Sequence, residues 1–178
     1  EVFIFYSGHG LASLDDEELF LLTSDSDGDA IEFTALSRTS IIKRITSFSA
    51  KKVTMFIDAC YSGETRDSND DELLIASARP IKLLKDDSKL PDNFNMFSAS
   101  QISQASSSTK KETGVKNGIF SYYLMKGLEG SADLNKDRKI TNGEMYKYLS
   151  VNVPKIARSL HNREQQPFFQ GDTNSVLV

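Results

Sequence analysis

Cys60 and His9 are the residues around which chemistry could be built. Cys60 is the only cysteine in 178 residues, and His9 is one of only two histidines. A thiol acts as a nucleophile in its thiolate form, and a histidine within reach can take the proton and later return it to a leaving group. Backbone N–H groups must in addition receive the negative charge that develops on the substrate carbonyl oxygen. Each of the two residues follows an apolar, β-branched run: Glu-Val-Phe-Ile-Phe-Tyr over residues 1–6 and Val-Thr-Met-Phe-Ile over residues 53–57. Each stands close to glycine, in Ser7-Gly8-His9-Gly10 and Asp58-Ala59-Cys60-Tyr61-Ser62-Gly63. Glycine lets backbone N–H groups approach a substrate carbonyl with no side chain between them. A second reading stays open, in which Cys60 is a small buried hydrophobe and His9 serves a turn. His161, in Ser-Leu-His-Asn-Arg, reads as a solvated residue at a helix end.

The elements that must position this pair follow from periodicity. Unbroken apolar runs such as 1–6, 53–57 and 94–99 suit strands buried on both faces of a parallel sheet. The first is expected to end in a loop at residues 7–10 and the second to stop at Asp58. A further short strand is predicted at 19–22. Thr34 is placed to cap a helix reaching about Phe48, with Leu36, Ile41, Ile42, Ile45 and Phe48 on one stripe. Helices are predicted over 118–128 and over 142–158, the latter bent or broken near Pro154. Residues 64–93 read as a long flexible connection, 100–116 as a Ser/Lys-rich loop, and the tail from Gln165 as irregular until 176–178. Strands alternating with helices give an α/β domain whose sheet is mainly parallel, with helices on its faces. Sites in such sheets lie at the carboxyl ends of the strands, where both Cys60 and His9 fall.

Composition narrows the function classes. A formal net charge of −4 argues against a nucleic-acid partner, and no apolar run reaches the ~18 residues of a membrane span. A single cysteine excludes an internal disulfide and fits a reducing, cytoplasmic setting. Residues 1–178 read as one domain.

Phe5-Tyr6-Ser7-Gly8-His9-Gly10 together with Asp58-Ala59-Cys60-Tyr61-Ser62-Gly63 resembles the caspase, metacaspase and paracaspase superfamily of cysteine peptidases, the caspase–haemoglobinase fold. The Asp-x-Cys-x-Ser-Gly form is closer to metacaspases and bacterial caspase-like proteins than to the Gln-Ala-Cys form of caspases. The resemblance runs on through Gly118-Ile119-Phe120-Ser121-Tyr122-Tyr123-Leu124 and Gln166-Pro167. It implies that Cys60 attacks the scissile carbonyl, that His9 is the general acid/base, and that the N–H groups of Gly10 and Cys60 form the oxyanion hole. It also implies that Asp58 receives a basic P1 side chain, with Ser7 lining the same pocket and Ser98 and Ser100 supplying a further wall. A carboxylate suits an Arg guanidinium or Lys ammonium. The alternative for Asp58 is a strand-end carboxylate that caps nearby backbone N–H groups. In this superfamily the connection after the cysteine is often cut during maturation, and Arg66, Arg79, Lys82, Lys85 and Lys89 offer basic sites for self-cleavage. The substrate would be a protein or peptide; the competing function is a silent binding or scaffold module.

Residues 133–144, Asp-Leu-Asn-Lys-Asp-Arg-Lys-Ile-Thr-Asn-Gly-Glu, resemble an EF-hand loop. Asp133, Asn135, Asp137 and Glu144 fall at loop positions 1, 3, 5 and 12, but Arg138 stands where glycine should make the sharp turn. Calcium is thus a possible ligand rather than a required cofactor, and a metal-free loop that caps the next helix is the alternative. A second acidic stretch, Asp25-Ser26-Asp27-Gly28-Asp29, reads as a turn. Of the calcium positions of metacaspases, Asp67 has a match, while Glu32-Phe33 stands where an aspartate pair would be. The resemblance further implies amino-terminal strands ahead of the histidine strand that this sequence does not contain. Residues 2–6 are therefore expected to form an exposed apolar edge that needs a missing amino-terminal segment or a partner chain.

Overall fold

In a computed structural model, residues 1–12, 18–60, 90–99, 118–161 and 164–178 are described, with Ala12, Cys60 and His161 described by backbone alone. Predicted features at 64–89 and 100–117, with Ser100, Asp67 and the basic sites among them, lie outside the described residues, as do the side chains of Cys60 and His161.

A six-stranded sheet carries the fold in the order β3-β2-β1-β4-β5-β6. Its centre is parallel: β1 (Val2–Ala12) pairs with β4 (Val53–Cys60), and β4 with β5 (Phe94–Ser98). Both edges are antiparallel, with β2 (Leu19–Leu21) and β3 (Leu36–Ser37) on one side and β6 (Phe168–Gln170) on the other. Alternation along β4 divides the core. Met55 and Ile57 face Ile41, Ile42 and Ile45 of α2 (Arg38–Thr46). Phe56 faces α3 (Ile119–Lys126) and α4 (Asn142–His161), whose Phe120, Leu124, Met145 and Leu149 are fully or nearly fully buried. Phe97 joins this second layer, its ring 5.2 Å from that of Phe56 and 4.6 Å from that of Phe169. Helices thus cover both faces of the sheet.

Several elements differ from expectation, each for a physical reason. β1 does not turn into a loop at residues 7–10 but runs on to Ala12, and β4 likewise continues through Asp58 to Cys60. The parallel ladder is unbroken over this stretch, pairing Ser7 with Asp58, Gly8 with Ala59 and His9 with Cys60. Glycine at position 8 leaves room for the folded-back ring of Tyr6, which occupies the space a Cβ there would need. The Tyr6 hydroxyl lies 2.7 Å from the carbonyl oxygen of His9 and 2.6 Å from that of Leu22, and donates its proton to this pair.

Thr34 caps nothing. It closes the short helix α1 (Ile31–Thr34), its hydroxyl donating to the Ala30 carbonyl oxygen at 2.9 Å. Ala35 then extends, Leu36 enters β3, and Ser37 caps α2 by accepting from the Ser40 amide at 3.1 Å. Ile41, Ile42 and Ile45 pack as the stripe required, whereas Leu36 and Phe48 are exposed. α4 is continuous through Pro154 as far as His161, since Val153 and Ala157 on either side are fully buried against the sheet. The tail holds a strand, β6, too short for its alternation to be read. Beyond it, Leu177 donates to the Ile140 carbonyl oxygen at 2.7 Å and ties the carboxyl end to the 133–144 loop.

The exposed apolar edge is present in part. β2 reaches only Gly10–Ala12 of β1, so among the described residues no strand lies beside residues 2–8 on that side. Val2 donates to the Lys52 carbonyl oxygen on the β4 side, which turns the amides of Phe3 and Phe5 outward. Their side chains are 54% and 56% exposed. Among the described residues no helix is long and apolar enough to cross a membrane.

Candidate active site

Two neighbouring parallel strands bring the predicted residues together at their carboxyl ends. Ser7 and His9 on β1 stand opposite Asp58 and Cys60 on β4, in register, although 51 positions separate His9 from Cys60. The expectation of two adjacent loop tips is replaced by two paired strand ends, which fix the spacing more tightly. Gly10 is the next residue out. The Leu22 amide donates to the His9 carbonyl oxygen at 2.9 Å, so His9 and Leu22 form the hydrogen-bonded pair of the antiparallel ladder. The Gly10 amide then points away from β2 into the β1–β4 ladder. There the pairing of His9 with Cys60 engages both it and the Cys60 amide, so the predicted oxyanion donors are tied up between the strands.

Asp58 is fully buried, with 0% of its surface exposed. The Ser121 hydroxyl, in the first turn of α3, donates to its Oδ2. Gly118, the residue that opens α3, packs so closely on the same carboxylate that a Cβ there would overlap it. Ser7, its partner on β1, is exposed. A cavity of about 590 Å³ lies against this face, bounded by Phe3, Phe5, Ser7, Phe56, Ser121 and Leu124. Ser98 does not join the group. It pairs with Ile57, on the opposite face from Asp58, and is itself buried. Its predicted role as a pocket wall has no support from its position.

Ser121 and Gly118 were not singled out from the sequence as site residues. The signals were their place in the stretch 118–124 that carries the family resemblance, and a glycine just ahead of an apolar helix with a serine three residues on. Neither predicts contact with a residue 60 or more positions away.

The 133–144 loop turns sharply and is bonded within itself. Lys136 and Arg138 are both left-handed, at φ 63° and 66°. Arg138 thus adopts the turn that glycine would make more cheaply, at a cost of about 1 kcal/mol. The carboxylate of Asp133 accepts from the amides of Asp137 at 3.2 Å and Arg138 at 3.0 Å. Asn135 accepts from the Asp137 amide at 2.8 Å, and Asp137 from the Lys139 amide at 2.9 Å. Glu144 accepts from the Thr141 amide at 3.0 Å while Thr141 accepts from the Glu144 amide at 3.2 Å, a reciprocal cap at the start of α4. The Thr141 amide, then its hydroxyl, hold the Glu144 carboxyl below its ordinary pKa. Among the described residues no group of three or more His, Cys, Asp or Glu stands close enough to hold a metal ion. The acidic turn at 25–29 is likewise internally bonded, Thr23 donating to Asp25 at 2.6 Å and the Asp29 amide to Asp27 at 3.0 Å.

The family model of the caspase domain matches residues 1–177. The chain belongs to the caspase domain family. This is a family of cysteine peptidases, which accounts for a cysteine and a histidine in register at adjacent strand ends. A search of the curated proteins finds no match. Among solved structures, the chain is similar to caspase-1 from the insect Spodoptera frugiperda, at 14% identity and a TM-score of 0.57. That match covers 99% of this chain and 61% of the insect one. It is also similar to a protein from Geobacter sulfurreducens, at 14% identity and a TM-score of 0.51, covering 97% of this chain and 67% of the other. Likeness at these identities concerns the fold. The caspase domain described here thus spans about three-fifths of the length of the insect caspase.

Proposed function

We propose that this caspase domain is a cysteine endopeptidase that cleaves after Arg or Lys. The observation that carries the reading is the register: Ser7 and His9 stand opposite Asp58 and Cys60 across one parallel ladder. In the proposed reaction the Cys60 thiolate attacks the scissile carbonyl carbon, and backbone N–H groups at the ends of the two strands receive the oxyanion. His9, protonated, gives its proton to the departing amine as the C–N bond breaks, leaving a thioester on Cys60. Water then attacks the thioester, His9 takes its proton, and the thiolate leaves with release of the acid. No cofactor enters these steps. Asp58 is read as the acceptor of the P1 cation because a fully buried carboxylate beside an exposed serine gains most from an opposite charge.

Incubation with fluorogenic peptides carrying Arg, Lys or Asp at P1, alongside a Cys60→Ala control, tests the reading. Cleavage of the Arg and Lys peptides, absent in Cys60→Ala, is expected. No cleavage of any peptide in reducing buffer, with or without calcium, overturns it and leaves the scaffold function in its place. Self-processing after Arg66, Arg79, Lys82, Lys85 or Lys89 is part of the proposal. It would appear as fragments of the active protein that mass spectrometry maps to those residues and that Cys60→Ala lacks.

Two further parts of the proposal concern partners. Calcium enters only as a weak ligand of Asp133, Asn135, Asp137 and Glu144. The open side of β1, with Phe3 and Phe5 exposed, is proposed to be covered by polypeptide from outside residues 1–178. The insect caspase has further length that the match does not cover, which is consistent with such a cover. Residues 1–178 alone are then expected to aggregate; a soluble monomer that melts cooperatively would contradict this.

A further inference from the structure

We infer that Ser121 is the positioning residue for Asp58, and that through it α3 sets how the pocket carboxylate is presented to a basic P1 side chain. The inference rests on the reading of Asp58 as the P1 acceptor and adds a residue to it. Three observations carry it. Ser121 is the third residue of α3, where a side chain commonly reaches back to the opening residue of its own helix. Here its hydroxyl donates instead to Oδ2 of Asp58, on a different element and 63 positions away. Asp58 is completely buried, so the orientation of its carboxylate is decided by the groups packed on it rather than by water.

The second observation is Gly118. With no Cβ, it lets the start of α3 settle directly on the carboxylate, and any side chain there would push the helix off. The third is the cavity. Gly118 and Ser121 both bound it, and both touch Asp58, while Asp58 itself stands behind them. A cation entering from that side, or past exposed Ser7, meets a carboxylate whose Oδ2 is already held by a donor. A held carboxylate costs a cationic substrate less ordering than a swinging one, which is an effect on binding and not on the chemical steps at Cys60.

Ser121→Ala and Ser121→Thr, assayed with Arg-P1 and Lys-P1 fluorogenic peptides, test this. Ser121→Ala is expected to raise KM for both peptides about tenfold with kcat within about twofold, the scale of one charge-assisted hydrogen bond. Ser121→Thr keeps the hydroxyl, has the cavity beside it for its methyl group, and is expected to restore KM to within about threefold of the parent. Thermal unfolding of each variant is followed in parallel. An unchanged KM in Ser121→Ala overturns the inference while leaving the P1 reading intact. So does a fall in kcat and melting temperature together that Thr does not rescue, since that is the mark of a purely structural contact. If the unaltered protein cleaves neither basic peptide but does cleave another, the P1 reading fails first and the role of Ser121 falls with it.

Discussion

Two sets of carboxylates in this domain show opposite solutions to carrying negative charge. Asp58 is fully buried on a central strand and is held from elsewhere, by Ser121 and against Gly118 on α3. The carboxylates of half-buried Asp133 and exposed Asp137 lie in one loop and accept from backbone amides no more than five residues away, closing the loop on itself. A buried charge is expensive unless something outside its own segment compensates it, so a fold that retains one next to paired strand ends invites a functional reading. An exposed carboxylate with amide donors at hand needs no such reading; it is what a tight turn into a helix requires. On the proposed reading, the difference separates a carboxylate kept for a substrate from carboxylates engaged by their own turn.

The largest effect expected from breaking this comparison is on activity. Asp58→Asn keeps the shape and removes the charge. Cleavage of Arg-P1 and Lys-P1 peptides should fall about a hundredfold in kcat/KM, in line with the loss of one member of a buried charge pair. Asp137→Asn, the same change in the exposed loop, should leave kcat/KM within about twofold. Equal losses from the two substitutions would erase the distinction between the two regions.

The next effect is on stability. Gly118→Ala forces a methyl group into the Asp58 carboxylate and should destabilise the domain by about 2 kcal/mol in denaturant unfolding, the scale of an overpacked core site. In an Asp58→Ala background the same substitution meets a shortened side chain and should cost less than half as much. A double-mutant cycle that came out additive would mean that Gly118 and Asp58 do not bear on one another.

How much of this could be read from the chain depends on whether the information is local. The strands at 53–57 and 94–99 were legible because parallel strands buried on both faces make continuous apolar runs. Cys60 and His9 were legible because their residue types are rare here and each follows such a run. The extent of β1 was not, because Ser7-Gly8-His9-Gly10 carries every local sign of a loop. Only its partner strand, continuing to Cys60, makes it a ladder. The swap of caps from Thr34 to Ser37 failed for a similar reason: β3 pairs with β2 and ends the helical reading of Leu36 from outside the segment. β6 was hidden because three residues give alternation nothing to act on. The face that Ser98 takes could not be read locally, since it depends on its register with Ile57. The Ser121–Asp58 contact is wholly tertiary.

A smaller effect is expected with pH. The Thr141 amide and hydroxyl hold the Glu144 carboxyl below its usual value of 4.5 in the folded protein. A carboxyl whose pKa is lowered by folding contributes stability that is fully present above its unfolded value and is lost as pH falls through the folded one. Glu144→Gln should therefore differ from the parent in melting temperature at pH 7, and the two curves should converge as pH is lowered through and below 4.5. Curves that remain parallel throughout would assign the cap to shape alone and remove charge from the account of this loop.

The smallest effect concerns calcium, and it tests the loop side of the comparison directly. To bind there, the ion would draw Asp133, Asn135 and Asp137 away from amides they already satisfy, and Arg138 already bears the strain of a left-handed turn. Weak binding is the expected consequence, comparable with a Kd of roughly 1 mM for the loosest loops of this type. At a calcium concentration equal to Kd the stabilisation is about 0.4 kcal/mol, a shift of ~1–2 °C in a domain of this size. Asp133→Asn should abolish that shift and leave peptide cleavage as it was. A shift of several degrees at micromolar calcium would instead show that the bonded loop opens readily for the ion. The proposed contrast between a carboxylate held for a ligand and carboxylates engaged by their own turn would then not hold.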